Sequence, residues 1–449
     1  MRSIQIVRAR MLKALRNICV AAAFMLSALP AMAAPPNILL VIADDMGLDA
    51  SPCYDIGGEK PDMPVLEALC RDGLVFDNLW AEPMCSPTRA TILTGRFGFR
   101  TGVTRPASLR FGGGIRTDEL SIQKLLDEKA PTPYAHAVIG KWHLSDSENG
   151  GDDNPERMGV GFYSGFISGS LPDYFDFPLT TNGVTTQAKT YATTLFTDIA
   201  IDWVAKQRQP WFLWLAHTAP HSPFHVPPAG LHKRDLDDAP AAIKADPLPY
   251  FLAALEALDH ELGRLLDSLS PEVRANTVVF FIGDNGSPSR TAQRPYTRQT
   301  AKGSLYPGGV RVPFVAAGAG VTRKGEREAA LVNTSDFFAT VADLAEVRAT
   351  EAEDSISFKP LLASSSGGKR TYTYSDLQAD RPARLARNSG WTVGDGRYQY
   401  LWLDQGGRYL FDTSADPGGA VNLLQNGAAD AESIAARLEK LGTQLRGGR

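Results

Sequence analysis

The chain has 449 residues, with 46 lysines and arginines against 50 aspartates and glutamates and a net charge of −4. So balanced a charge excludes recruitment of nucleic acid or an anionic membrane by bulk attraction, so any anion chemistry must be built locally. Four cysteines are too few for a disulfide scaffold, while the length suits one large domain with a smaller companion.

In chain order, the first feature is an address. Arg2, Arg8, Arg10, Lys13 and Arg16 make a basic start, Ile18 to Leu29 an apolar run, and Ala31-Met32-Ala33 a small-residue cleavage site. Together they read as a signal peptide over residues 1–33, and the apolar run is short for a membrane anchor. The sequence therefore predicts an exported protein, periplasmic or secreted, with 449 − 33 = 416 mature residues and no stable membrane insertion.

Five apolar runs bounded by turn signals follow: Asn37 to Ala43, Ala135 to Ile139, Trp211 to Ala216, Thr277 to Ile282 and Val312 to Ala317. Continuous rather than alternating apolarity marks strands covered on both faces, as in a parallel sheet. Leu120 to Leu126 and Tyr250 to Leu269 carry apolar residues at helical spacing, so strands and helices alternate. That alternation predicts an α/β fold, a doubly wound and mostly parallel sheet flanked by helices, over residues 36–362. After the Ser364 to Gly368 linker, residues 369–449 read as a smaller subdomain. Thr371 to Ser375 and Tyr398 to Leu403 look like exposed antiparallel strands, and Ile434, Leu438, Leu441 and Leu445 form the stripe of a closing helix.

Ligands of open α/β sheets bind at the carboxyl ends of strands. The residues just past four of the runs are Asp44-Asp45, Lys141 with His143, His217 with His221, and Asp284-Asn285. Taken alone, Asp44-Asp45 reads as a turn or helix cap. With Asp284-Asn285 at an equivalent strand end, the set offers oxygen ligands for a hard cation, Ca²⁺ or Mg²⁺, which would also relieve the repulsion of three carboxylates. From Cys85 to Gly95 the chain reads as a helix entry, with Pro87 near its start and Gly95 as its stop. Cys85 then lies at the positive end of the helix dipole, with Arg89 one turn along the same face, a combination suited to a tetrahedral oxyanion. A buried structural thiol or disulfide remains one reading of Cys85. A cysteine phosphatase does not fit, because the position six residues on, where its loop arginine belongs, is Thr91.

Cys85-Ser86-Pro87-Thr88-Arg89 matches a C-x-P-x-R signature, and Gly140-Lys141-Trp142-His143-Leu144 a second one. Matches continue in order through Pro220 to Pro223, Gly283 to Gly286, Lys302-Gly303, Gly308 to Pro313, and Tyr409 to Leu423. The chain thereby resembles the sulfatase family, formylglycine-dependent and arylsulfatase-like, within the alkaline-phosphatase-like superfamily. The resemblance implies that a formylglycine-generating enzyme converts Cys85 during maturation. The hydrated formylglycine would share one divalent cation with Asp44, Asp45, Asp284 and Asn285, and, activated by Asp284, attack the sulfur of a small-molecule or glycan sulfate ester. Arg89, Lys141 and Lys302 would hold the sulfuryl oxygens, His221, helped by Lys302, would protonate the leaving oxygen, and His143 would take a proton from the second hydroxyl, so that sulfate is expelled and the aldehyde regenerates. Some members of the family with the same motif act as phosphodiesterases or phosphonate monoester hydrolases. An inactive sulfate- or glycan-binding module is a further reading, against which the full set of reactive residues argues. No signature identifies the substrate, whose selection falls to the loops Ser145 to Thr190 and Pro223 to Pro247.

Of the remaining residues, Asp259-His260 reads as helix surface, and His217 either contacts substrate or supports the site from behind. His136, His225 and His232 read as ordinary, and Trp203, Trp211 and Trp214 as core. With Cys19 in the signal peptide and Cys85 converted, Cys53 and Cys70 remain. They form either one disulfide or two inert thiols, with Met63 to Cys70 a helix that can bury Cys70.

Overall fold

A strand of near-uninterrupted apolarity, β1 (Asn37–Asp44), lies at the heart of the structure and is buried along its whole length. The structure is a computed structural model that describes residues 35–378 and 388–447; the signal-peptide reading of residues 1–33 falls outside them. Nine further strands join β1: β2 (Leu74–Trp80), β3 (Ala135–Lys141), β4 (Phe162–Phe166), β5 (Phe177–Thr181), β6 (Val184–Ala188), β7 (Trp211–Pro220), β8 (Thr277–Gly283), β9 (Phe314–Gly318) and β10 (Glu326–Asn333). Their order is β10-β2-β9-β8-β1-β7-β3-β4-β5-β6. The central pairings of β1 with β7 and β8, and of β3 with β7 and β4, are parallel.

Both faces of the central strands β1, β7 and β8 are buried, and that is why these strands lack alternation. Ile38, Leu40 and Ile42 enter one core, with α2 (Cys85–Thr94), α3 (Ile122–Lys129) and α7 (Asp336–Leu344) over them. Leu39, Val41 and Ala43 enter the other, covered by α1 (Pro64–Asp72), α4 (Ala192–Ala205) and the long α6 (Leu248–Ser268), which the short α5 (Pro240–Ala245) precedes. Trp203, Trp211 and Trp214 are core. No helix among the described residues is long and apolar enough to cross a membrane.

Three expectations need correction. The run Val312 to Ala317 is strand only over Phe314–Gly318, and it is antiparallel to both neighbours, β8 and β2. A parallel return needs a crossover, usually a helix. The connection from β8 to β9 holds only a one-turn helix, Pro307–Val310, so the chain comes back down beside β8. Asp259 is not on the helix surface. It is buried, and its carboxylate accepts the Val65 N–H at 2.9 Å and the Leu66 N–H at 2.8 Å, satisfying the first turn of α1.

The third correction concerns the C-terminal strands, β11 (Thr373–Leu377), β12 (Gly390–Gly394), β13 (Tyr398–Leu403) and β14 (Gly407–Asp412), which form a four-stranded antiparallel sheet. They are largely buried rather than exposed. One face takes α8 (Ala431–Leu445), whose Ala435 and Leu438 pack with Trp391, Val393 and Tyr400. On the other face, Leu377, Leu401 and Phe411 pack with Trp80, Leu305 and Val310. The polar residues of β11 are satisfied inside. Ser375 Oγ donates to the Ala81 carbonyl at 2.7 Å, the Tyr374 N–H donates to Asn333 Oδ1 at 3.1 Å, and the Asp376 N–H donates to a Glu82 carboxyl oxygen at 2.8 Å. Ser365–Gly367, within the expected linker, forms a short 3-10 turn against Pro360 and Leu361.

Cys53 and Cys70 are joined in a disulfide with a Cα–Cα distance of 6.3 Å, which decides between the two readings left open by sequence. The bridge closes a separation of 17 residues. Replacing both with serine is expected to cost about 3 kcal/mol in denaturant unfolding, through the freed unfolded chain. A non-reduced peptide map checks the pairing.

Burial and the neighbouring Asp376 hold the Glu82 carboxyl well above the usual value of 4.5. Below that value Glu82 is protonated in both the folded and the unfolded state. Above it the unfolded chain ionises first, so Glu82 erodes stability as pH rises toward its folded pKa. Glu82→Gln keeps an acceptor for the Asp376 N–H and is expected to flatten the decline in stability from pH 5 upward. Parallel pH profiles of urea midpoints for the two proteins test this.

Candidate active site

Parallel registers set the site. Ala43 of β1 stands beside His217 of β7 and Gly283 of β8, and Gly140 of β3 beside Ala216 of β7. All four strands therefore end at one edge, and Asp44-Asp45, Lys141 to His143, His217 to His221 and Asp284-Asn285 emerge there together. Gly140 is required for this closeness: at φ 106°, a Cβ would fall 2.0 Å from the Ala216 carbonyl oxygen. Asp45 and His143 both have positive φ, 79° and 58°, a conformation that non-glycine residues rarely adopt and that here turns their side chains at the strand ends.

Cys85 is the first residue of α2, which Gly95 ends in a left-handed cap at φ 68°. Its thiol is 2% exposed as a residue and lies 3.4 Å from Asp44 Oδ1, 3.8 Å from Asp45 Oδ1 and 3.5 Å from Lys302 Nζ. Potential ligand atoms of Asp44, Asp45, Cys85 and His221 all lie within 4.8 Å of one another. Arg89, buried one turn further along α2, donates to Asp44 Oδ2 at 3.2 Å, Asp284 Oδ2 at 3.1 Å and the Lys141 carbonyl at 2.6 Å. Lys141 pairs with Asp44, and Lys302 with Asp45. Asp284 Oδ1 accepts the Asp45 N–H at 2.9 Å. All ten residues that sequence placed in the site lie around this one cluster; Lys302 comes from the long connection between β8 and β9.

Three buried carboxylates thus face two buried cations, Arg89 and Lys141, and the half-buried Lys302. Burial acts to raise Asp45, but Lys302 and His221 outweigh it and hold its pKa below the ordinary value. Burial and Asp44 push Asp284 up. Burial opposes the charge of Arg89, yet Asp44 and Asp284 keep its pKa raised. Burial and Asp44 also push the Cys85 thiol up, so an unmodified Cys85 is not an activated thiolate.

The histidines are differently set. His143 Nε2 faces the Ala107 carbonyl at 3.2 Å; a carbonyl can only accept, so Nε2 carries the proton. Burial, followed by Lys141 and Arg89, lowers the His143 pKa well below 6.5, which leaves a neutral ring with its lone pair on Nδ1. Nδ1 has no hydrogen-bond partner among the described residues. His221 Nδ1 lies 2.7 Å from the Ser222 carbonyl, so Nε2, 3.6 Å from Asp45 Oδ2, is the nitrogen that titrates. His217 is fully buried, and burial lowers its pKa to about 3, so it is neutral and out of reach of solvent.

One segment of the site has no sequence signature. The loop after β4 brings Gly169 against the His143 ring, where a Cβ would fall 2.4 Å from Nε2. In the same loop, Ser170 Oγ lies 3.5 Å from His221 Nδ1 and the Tyr174 hydroxyl donates to the His221 carbonyl at 2.7 Å. The Tyr174 ring packs at a tilt against His225, with centroids 4.0 Å apart. This loop clasps both histidines.

The donor set fits a hard cation. Asp44, Asp45, Asp284 and Asn285 converge as oxygen donors, and Asn285 Oδ1, fully buried, has no hydrogen-bond partner among the described residues. Buried Arg89 Nε is likewise unpartnered there. An acceptor suited to a metal and a donor suited to an oxyanion are therefore left over in one cluster.

A family model described as Sulfatase matches residues 36–347. N-acetylgalactosamine-6-sulfatase of Homo sapiens is 29% identical over 366 residues, 73% of this chain and 66% of that protein. Arylsulfatase G of Homo sapiens is 27% identical over 369 residues, 69% of this chain and 65% of that protein. The matches thus span about two thirds of these relatives' length. The crystal structure of Ps i-CgsB is similar with a TM-score of 0.74 and 25% identity, covering 91% of this chain and 92% of that one.

Removing Arg89 leaves buried Asp284 without its ion-pair partner and takes one of two cations from Asp44. Arg89→Ala is expected to cost about 3–5 kcal/mol, read by denaturant unfolding in chelator, where no cation can compensate. A loss under about 1 kcal/mol would mean that the cluster's charges are balanced some other way.

Proposed function

Because the chain belongs to the sulfatase family, we propose that it hydrolyses sulfate esters, releasing sulfate and an alcohol or phenol, with a formylglycine made from Cys85 and one divalent cation, Ca²⁺ or Mg²⁺. The observation that carries this reading is the position of Cys85: first residue of a helix, with an unactivated thiol, among Asp44, Asp45, Lys302 and His221. A thiol in that setting serves poorly as it stands, whereas a hydrated aldehyde supplies two hydroxyls, one to attack and one that gives up its proton as the bound sulfate leaves and the aldehyde re-forms.

Asp44, Asp45, Asp284 and Asn285 would hold the cation, which when bound neutralises and polarises the sulfate. Arg89, Lys141 and Lys302 direct positive charge at the sulfuryl oxygens in a site from which water is largely excluded. His221 handles the proton of the departing oxygen at Nε2, the nitrogen facing the cluster. His143, neutral and with its tautomer fixed by the Ala107 carbonyl, offers Nδ1 to accept the second proton. Conversion of Cys85 calls for a formylglycine-generating enzyme, and export follows the reading of residues 1–33. The named relatives act on a saccharide sulfate and aryl sulfates, so both substrate types enter the proposal.

Cys85→Ala is expected to abolish sulfate release while leaving the unfolding midpoint near that of the parent protein. Mass spectrometry of the active protein should show that the thiol at position 85 is gone, and full activity from an unmodified cysteine would sink the mechanism. Asn285→Ala should lower metal content and rate together; a rate unchanged after chelation contradicts the cation assignment. Matched aryl sulfate and aryl phosphodiester substrates should favour the sulfate.

A further inference from the structure

Beside the proposed leaving-group histidine the surface opens into a pocket of about 540 Å³. Its walls come from three segments: Pro223 and Phe224, two and three residues after His221; Ile243 and Lys244 of α5; and Pro288 and Arg290, on the loop that leaves Asn285. The pocket is therefore tied by short chain links to the groups that handle the departing oxygen and the cation. Its wall carries the flat faces of prolines and a phenylalanine, and no carboxylate lines it.

Two cations border this wall. Lys244 and Arg290 are both exposed, and neither has a carboxylate partner among the described residues. The Arg290 guanidinium donates to the Lys244 carbonyl, which ties the loop to α5. Two unpaired cations at the edge of an apolar wall match a ligand that presents a ring face and carries an anion of its own.

Resting on the sulfatase reading, we infer that this pocket is a leaving-group subsite for a saccharide that bears a second anionic substituent, a further sulfate or a carboxylate. The ring lies along Pro223 and Phe224, and the second anion meets Lys244 and Arg290 while His221 faces the ester oxygen. Neither cation takes part in the chemical step, so the pocket affects which ester is chosen and not how it is cleaved.

The test measures kcat/KM at low and physiological salt for three substrates: 4-nitrophenyl sulfate, a monosulfated disaccharide, and the same disaccharide with a second sulfate. The enzymes are the metal-loaded parent, Lys244→Ala, Arg290→Ala and the double variant. The double variant is expected to lose about tenfold on the disulfated disaccharide, from two exposed charge contacts, and to keep its rates on the other two within about twofold. Added salt should erase the parent's preference for the disulfated substrate. Lys244→Ala leaves the carbonyl that Arg290 grips, and Lys244→Arg should retain the preference. An equal loss on all three substrates, or no loss on any, overturns the inference. If the parent cleaves 4-nitrophenyl sulfate but does not prefer the second charge, the subsite alone is refuted. If the parent releases sulfate from none of the three, the sulfatase reading itself has failed.

Discussion

Three aspartates without access to water, Asp44, Asp45 and Asp284, govern this structure. An isolated buried carboxylate costs several kcal/mol, and three side by side repel as well. The chain offsets this with Arg89 between Asp44 and Asp284, Lys141 on Asp44 and Lys302 on Asp45. Each cation comes from a different element: a helix, a strand end and a long connection. The charge balance therefore requires correct tertiary assembly, and a misplaced element would leave a charge unpaired in the interior.

The sheet makes such convergence possible. With β1 between β7 and β8 in parallel, three strands end beside one another, and all-apolar strands keep the sheet rigid beneath a polar edge. Antiparallel β9 belongs to the same design. The long connection before it delivers Asp284, Asn285 and Lys302 to that edge before the chain returns antiparallel to β8. Thr88, on the helix that begins at Cys85, ties the edge together further by donating to the Asp284 carbonyl at 2.7 Å.

What sequence revealed, and what it hid, follows from how each feature is encoded. Asp44-Asp45 and Asp284-Asn285 are legible because an apolar run stops at them, and Cys85 because Pro87 and Gly95 bracket a helix. Lys302 lies in coil with no periodicity, and only a family pattern marks it. The direction of β9 was hidden because an apolar run has no sense of direction. The burial of β11 was hidden because Thr373, Ser375 and Asp376 look solvated until partners such as Ala81 and Phe99 are seen to satisfy them. Asp259 looked like helix surface for the same reason: the two N–H groups it caps lie 194 and 193 residues away in the chain.

The same division separates reaction from selection. Lys302 apart, the groups that would handle charge and protons sit at strand ends and on α2, where periodicity and caps reveal them and a rigid sheet holds them. The groups that would meet whatever leaves the site are on the loop after β4, the segment from Pro223 to α5 and the loop after Asn285, where Gly169 and Tyr174 hold the histidines and Lys244 and Arg290 border the pocket. Loops exchange residues at little cost to the core. A site built in this way can keep one charge-balanced centre while its choice of ester changes, because nothing in the pairing of Asp44, Asp45 and Asp284 depends on what lines the pocket beyond His221.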